Sequence, residues 1–421
     1  MTIQKISIKN GRLIDPKRGL DGIDQKLDLH LADGRVVAIG QAPDGFADAR
    51  VIEAGGLVVC PGLVDLAARL PSLEDELAAA VAGGVTSLAC PPDTRPPLDE
   101  PGLVERLVRR VADAGLARVL PLGALTVGLK GEALAELGSL AKAGCVAFSQ
   151  GCAPIIDTQV LLRAMQYATT FGYTLRLQAQ DSYLARDGVA HDGEVASRLG
   201  LPGIPAAAES VAIATAIELA RATGARVHFT RLSSAAGIDL VRRAQNEGLA
   251  ITCDIGIHHL HLTEMDIGYF DSAARFSPPL RAQRDREALS AAAADGLAAI
   301  CSDHTPIDED GKQLPFGEAE AGATGLELLL PLTLKWAENE KLPLARALAR
   351  ITSDPAAILG SDAGQLAIGA AADVCIFDPE ALWQVSADAL VSQGKNTPFI
   401  GCGMQGKVKA TLVGGRVVFG G

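Results

Sequence analysis

Residues 225–258 read ARVHFTRLSSAAGIDLVRRAQNEGLAITCDIGIH. Two short runs rich in apolar residues, 225–233 and 250–258, flank a helical pattern over Gly237–Glu247 that stops at Asn-Glu-Gly. A strand, a helix ended by glycine and a second strand make the βαβ unit of a parallel sheet. Strands that are apolar throughout are covered on both faces, as in the centre of an α/β fold.

The same unit recurs outward in both directions. Strand candidates are LVDLAARL (63–70), TSLACPP (86–92), ARVLPLGAL (117–125), GCVAFSQ (144–150), TLRLQAQ (174–180) and LAAICSDH (297–304). Helical patterns at Leu73–Val81, Pro101–Ala114, Asp157–Phe171, Ala207–Thr223 and Arg284–Asp295 separate them, with AGG and ATG as further stop signals. With the opening pair this makes eight strands alternating mostly with helices, which predicts a (β/α)8 barrel. A doubly wound open sheet fits less well, because no G-x-G-x-x-G follows the first strand. The two chain ends follow another pattern, in which ISIKNGRLID, LDLHLADGRVVAIG, ADVCIFD and VKATLVGGRVVFG are short alternating strands broken by hairpin residues. They predict a small flanking β-sandwich built from residues 1–60 and 366–421, with the barrel at 61–365.

Composition narrows the class. The chain has 421 residues and a formal charge of -12, which argues against a nucleic-acid or anionic-membrane surface. The N-terminus lacks a signal-peptide core, and the apolar run around Leu326–Leu334 is interrupted by Glu327 and Pro331. The eight cysteines form no C-x-x-C pair and several sit in apolar runs (Cys90, Cys253, Cys301), as reduced thiols of a cytoplasmic protein do.

In such barrels chemistry sits at the C-terminal strand ends. Here those ends offer Arg69, Asp93, Ala124, Gln150, Gln178–Asp181, Arg231, His258–His261 and Asp303-His304. A catalytic zinc needs about three His, Asp, Glu or Cys ligands and an open position. The early strand ends hold little of that kind beyond Asp93 and Asp181, and Asp93 follows two prolines as a turn cap would. His259-x-His261 on a strand would put both rings on one face and, with Asp303, offers a metal site. The alternative, which carries more weight, is that His258, His259 and His261 bond to backbone. Asp303-His304 suggests a base and an acid. His30 falls in the terminal sheet, His191 in a polar loop and His228 inside the sixth strand. Arg69 and Arg231 project to the mouth, either as a plug ion-paired with Asp303 or as a pocket for an anion, and the plug is preferred.

The chain resembles dihydroorotases of the amidohydrolase superfamily in IKNGRLIDP, PGLVD (61–65), AGGVTSLACPPDT (82–94), LGLPGIPAAAES (199–210), HHLHLTE (258–264), PPLR (278–281), SDHTP (302–306) and LVGGRVVF. The resemblance implies a zinc-dependent barrel that opens or closes the dihydroorotate ring, with a strand-end Asp as proton carrier. It also implies where the machinery should stand. D-x-H-x-H-L-R falls on Asp65–Pro71, so Ala67, Arg69 and Pro71 occupy the two His and the Arg positions. The bridging acid falls on Gln150-Gly151, the His of H-A-E-D on Gln178, and the ligand His of H-x-x-H on Arg231, with His228 kept. The Asn of M-P-N-T is Asp93, the last His of D-H-A-P-H is Ile307, and Asp303 alone remains. The expectation is a chain with no metal cofactor and no turnover, similar to the inactive dihydroorotase-like subunits that hold bacterial aspartate carbamoyltransferase together in pyrimidine biosynthesis. Its partner would be the transferase catalytic chain in a hetero-oligomer, with a homodimer as a further arrangement. Two alternatives remain: a cyclic-amide hydrolase with a relocated metal on His258, His259, His261 and Asp303, or an anion-binding regulator using Arg69 and Arg231.

Overall fold

The structure, a computed structural model, describes residues 5–16 and 23–421. Met1–Gln4 of the alternating N-terminal run lie outside them. Eight parallel strands follow one another around a barrel in chain order. They are β1 (Leu63–Asp65), β2 (Val85–Cys90), β3 (Arg118–Ala124), β4 (Ala147–Ser149), β5 (Thr174–Gln178), β6 (Arg226–Thr230), β7 (Ile251–Gly256) and β8 (Ala298–Cys301). Closure comes just beyond the first and last strands: the His304 N–H donates to the Ala67 carbonyl at 3.1 Å, and the Arg69 N–H to the His304 carbonyl at 2.9 Å. Every strand anticipated from its apolar run is present, though each is shorter than the run.

The crossover helices keep to the sequence pattern within two residues. They include Leu73–Ala82, Pro101–Ala114, Thr158–Phe171, Ala206–Thr223, Ala235–Asn246 and Gln283–Asp295. Asp157 caps the third of these, its side chain accepting from the Gln159 N–H at 2.8 Å. Their apolar faces and the outward faces of the strands form one continuous core that includes Phe148, Phe229 and Trp336.

The terminal segments form two sheets. One has the order 35–39, 29–32, 6–9, 50–53; the other runs 416–420, 403–413, 374–384, 58–61, 12–15, 23–26. Ile6, Leu13, Leu31, Val59, Val374 and Leu412 fill a separate core in this sandwich. Two details differ from the predicted boundaries. Strand 58–61 crosses the residue-60 border, and residues 385–402 leave the sandwich to pack on the barrel. There Phe399 is buried against the rings of His258 and His261, and Ser392 donates to the buried Glu76 carboxylate at 2.7 Å. No helix among the described residues is long and apolar enough to cross a membrane.

Candidate functional site

Two arginines occupy the barrel mouth. Arg231 follows β6 with φ +56, and its backbone N–H donates to Asp254 Oδ1 on β7 at 2.7 Å. This turn points the guanidinium across the barrel, where Nη1 donates to Asp303 Oδ1 at 2.8 Å and to the Ser277 carbonyl at 3.3 Å. Nη2 donates to Gln178 Oε1 and reaches Cys152 Sγ at 3.4 Å. Arg231 is 6% exposed and Asp303 2%, so the pair is shielded from solvent. Burial works to lower Arg231, but the charge of Asp303 and the contact with Cys152 outweigh it and hold the guanidinium well above its ordinary range.

Arg69 enters from the opposite side. Its Nε and Nη2 donate to Asp93 Oδ2 at 3.2 and 2.8 Å, Nη1 to the Thr305 hydroxyl at 3.0 Å, and Nη2 also to Cys152 Sγ at 3.0 Å. Burial favours protonated Asp93, yet the Arg69 charge and hydrogen bonds prevail and keep this carboxyl below its usual range. The expectation of one shared counter-charge is therefore corrected. Asp303 pairs with Arg231, while Arg69 pairs with Asp93, which is more than a turn cap.

Beneath the mouth lies a third pair that the sequence reading missed. Arg176, inside β5 and 1% exposed, reaches Asp254 Oδ2 at 3.3 Å, and the same oxygen pairs with His228 Nε2 at 2.8 Å. Burial, with Arg176 next, lowers His228 although Asp254 pulls the other way. Arg176 was hidden because a lone Arg in the strand TLRLQ reads as an outward residue, although its alternation with Gln178 turns it inward. Each of the three arginines thus has its own carboxylate.

The late histidines do not sit on a strand. Ile257–Leu260 is a 3-10 turn, and His261 follows it. Their Nε2 atoms pair with separate carbonyls: His258 with Thr324 at 3.3 Å, His259 with Pro278 at 3.1 Å and His261 with Leu332 at 3.0 Å. The one-face spacing expected of a strand is lost because the chain turns helical there. Burial pushes His258 and His261 down to about 4. Asp303 and His304 also part company, since His304 Nε2 pairs with Glu76 at 2.9 Å while Nδ1 accepts the Gly325 N–H at 3.1 Å. Gln150 is bonded to Thr126, and Asp181 accepts the N–H groups of Tyr183 and Leu184. His191, placed in a loop by the sequence, is buried beside Arg281 at 3.1 Å. Among the described residues no three His, Cys, Asp or Glu side chains gather as a metal-binding group.

The dihydro-orotase-like family profile matches residues 56–236, and the amidohydrolase family profile matches 156–419. A "Dihydroorotase-like protein" of Pseudomonas putida is 46% identical over 99% of both chains. The chain is a dihydroorotase-like member of the amidohydrolase family. A similarly named Pseudomonas aeruginosa protein is 44% identical over 98% of this chain and 99% of its own. A "Dihydroorotase" of Geobacter sp. is 41% identical over 98% of both. Among solved structures, an L-hydantoinase (dihydropyrimidinase) from Arthrobacter aurescens superposes with a TM-score of 0.85 at 25% identity, covering 99% of this chain and 96% of that one.

Within that family frame, the residues of this dihydroorotase-like chain do not fit a dication at the strand ends. The positions that the resemblance assigns to ligands hold Ala67, Arg69, Gln150, Gln178 and Arg231. A methyl group donates nothing, and the two guanidiniums would repel a dication. The Gln178 carbonyl oxygen is taken by Arg231 and that of Gln150 by Thr126.

Proposed function

We propose that this chain is a non-catalytic dihydroorotase homologue that serves as an assembly subunit for aspartate carbamoyltransferase in de novo pyrimidine biosynthesis. The observation that carries the first half is the pair of ion-paired guanidiniums, Arg69–Asp93 and Arg231–Asp303, standing at ligand positions. Paired cations at these positions leave no donor set to hold a Lewis acid that would activate water. The second half rests on the resemblance to inactive subunits of the transferase complex. The expected partner is the transferase catalytic chain, in a cytoplasmic hetero-oligomer.

The test has two parts. The chain, purified after exposure to excess zinc, is assayed for metal by plasma mass spectrometry and for dihydroorotate hydrolysis. It is then co-expressed with the transferase of the same genome. Near-zero zinc, no hydrolysis and a co-purifying transferase are expected. Stoichiometric zinc with turnover would overturn the non-catalytic half, and a transferase that assembles and works normally without this chain would overturn the other.

One observation favours a second reading, a cyclic-amide hydrolase with a relocated metal. Nδ1 of His258 and of His259 are buried without a hydrogen-bond partner among the described residues, and a carbon placed on Gly256 would lie 3.3 Å from His259 Nδ1 and 3.6 Å from Asp303 Oδ2. The same zinc assay separates the readings, because a His259→Ala change would then remove both metal and activity.

A further inference from the structure

A cavity of about 170 Å3 opens outside the barrel wall, and none of the paired arginines lines it. Leu177 and Phe229 form its floor, since they face outward from β5 and β6 while Gln178 and His228 turn inward. Leu161 of the helix Thr158–Phe171 closes one side. On the other, Ala212 and Ala216 stand one turn apart on the helix Ala206–Thr223 and leave the space that a longer side chain would fill. A cavity of about 150 Å3 is enough to take benzene, so this one suits a single six-membered ring.

The polar part of the wall is unengaged. Thr158, Gln180, Ser182 and Thr215 all line it, and none of their side chains makes a hydrogen bond among the described residues. Asp181 brings the one charge in the lining. Its Oδ1 accepts the Tyr183 and Leu184 N–H groups at 3.0 and 2.9 Å, which fixes the carboxylate in place. Among the described residues no cation pairs with it. Arg186 lies over the Tyr183 ring, 5.5 Å from its centroid, and is not part of the wall. A carboxylate or phosphate entering here would meet Asp181 with no counter-charge, whereas an ammonium group would find a carboxylate, an amide oxygen and hydroxyls.

We propose that this cavity binds a small primary amine, an ammonium group on an apolar body the size of one ring and without a carboxylate of its own. The ammonium donates to Asp181 and to the Gln180 amide oxygen, and the body covers Leu161, Leu177 and Phe229. Amino acids are excluded by the same charge argument, because nothing cationic in the lining would hold their carboxylate.

Isothermal titration calorimetry of the full chain with benzylamine, benzyl alcohol and benzoate, at pH 7 and low salt, tests the assignment. The three probes share a ring and differ in the charge they carry on it. Benzylamine is expected to bind about tenfold more tightly than benzyl alcohol, and benzoate to give no heat. Asp181→Asn keeps an oxygen for the two N–H groups but removes the charge, so benzylamine should weaken about tenfold while benzyl alcohol is unchanged. Ala212→Leu, which fills the gap between the helices, should abolish binding of both. Absent benzylamine binding, benzoate binding as tight as benzylamine, or benzylamine binding that survives either substitution unchanged overturns the proposal. A chain that binds no amine can still hold the transferase together, and an active transferase without this chain leaves the amine site intact.

Discussion

At the scale of the residue, the deciding feature is a buried charge with one partner. Asp303 Oδ1 takes its ion-pair hydrogen bond from Arg231, and both side chains are almost wholly shielded from water. Removing the cation alone would strand a carboxylate in the barrel, at a cost of roughly 3–5 kcal/mol. Removing both charges leaves only the packing to adjust, so Arg231→Met with Asp303→Asn is expected to be less destabilised than Arg231→Met by more than about 1 kcal/mol. Asn also tolerates the φ of +47 that Asp303 adopts. Urea unfolding of the single and double variants measures the difference. A double variant as unstable as the single one would mean that Arg231 acts through its bonds to Gln178 and Ser277 rather than through Asp303.

At the scale of the element, the segment 385–402 joins sandwich to barrel. Its anchor is Asn396, whose Oδ1 accepts the Ile307 N–H at 2.9 Å while Nδ2 donates to the Thr305 and Gly322 carbonyls at 3.0 and 3.1 Å. Asn396→Ala leaves these backbone groups buried without partners, at about 1–3 kcal/mol for each one that stays unsatisfied. The segment should then open locally, and trypsin should cut after Lys395 faster than in the parent chain. Unchanged cleavage would show that Phe399 and the Glu76–Ser392 contact hold the segment unaided. Nothing in the sequence announced this excursion, because the Gly and Pro of GKNTPFIGCG mark a loop but not the surface it packs on. The barrel was readable for the opposite reason. Its strands are buried on both faces and its helices end at glycines, so each element carries a local signal. The site was half readable. Which residues stand at the strand ends follows from strand order alone. Which of them pair does not: Arg69 finds Asp93 and Arg231 finds Asp303 across 24 and 72 residues, and that choice depends on side-chain reach.

At the scale of the whole molecule, burial of neutral histidine ties stability to pH. His258 and His261 titrate near 4 in the folded chain because burial penalises the charged ring. In the unfolded chain they titrate near 6.5. Between these values the unfolded state binds more protons, so stability falls as pH falls, by about 1.4 kcal/mol per pH unit for each histidine. Asp65, Glu327 and Asp354, which burial raises, pull in the other direction and reduce the net slope. Asp93 and Asp254 are held below the usual carboxylate range, so their stabilisation is lost only at pH values below the histidine window. The window from about 6.5 down to 4 is therefore governed mainly by buried imidazoles. His261→Gln can keep an N–H donor to the Leu332 carbonyl but cannot take up a proton. The urea midpoint of the parent chain is expected to drop from pH 7 to pH 5, and that of His261→Gln to drop less, by about 1.4 kcal/mol per pH unit once converted to free energy. Equal slopes for the two chains would mean that His261 is protonated in the folded state, and that its environment admits a charge that this packing excludes.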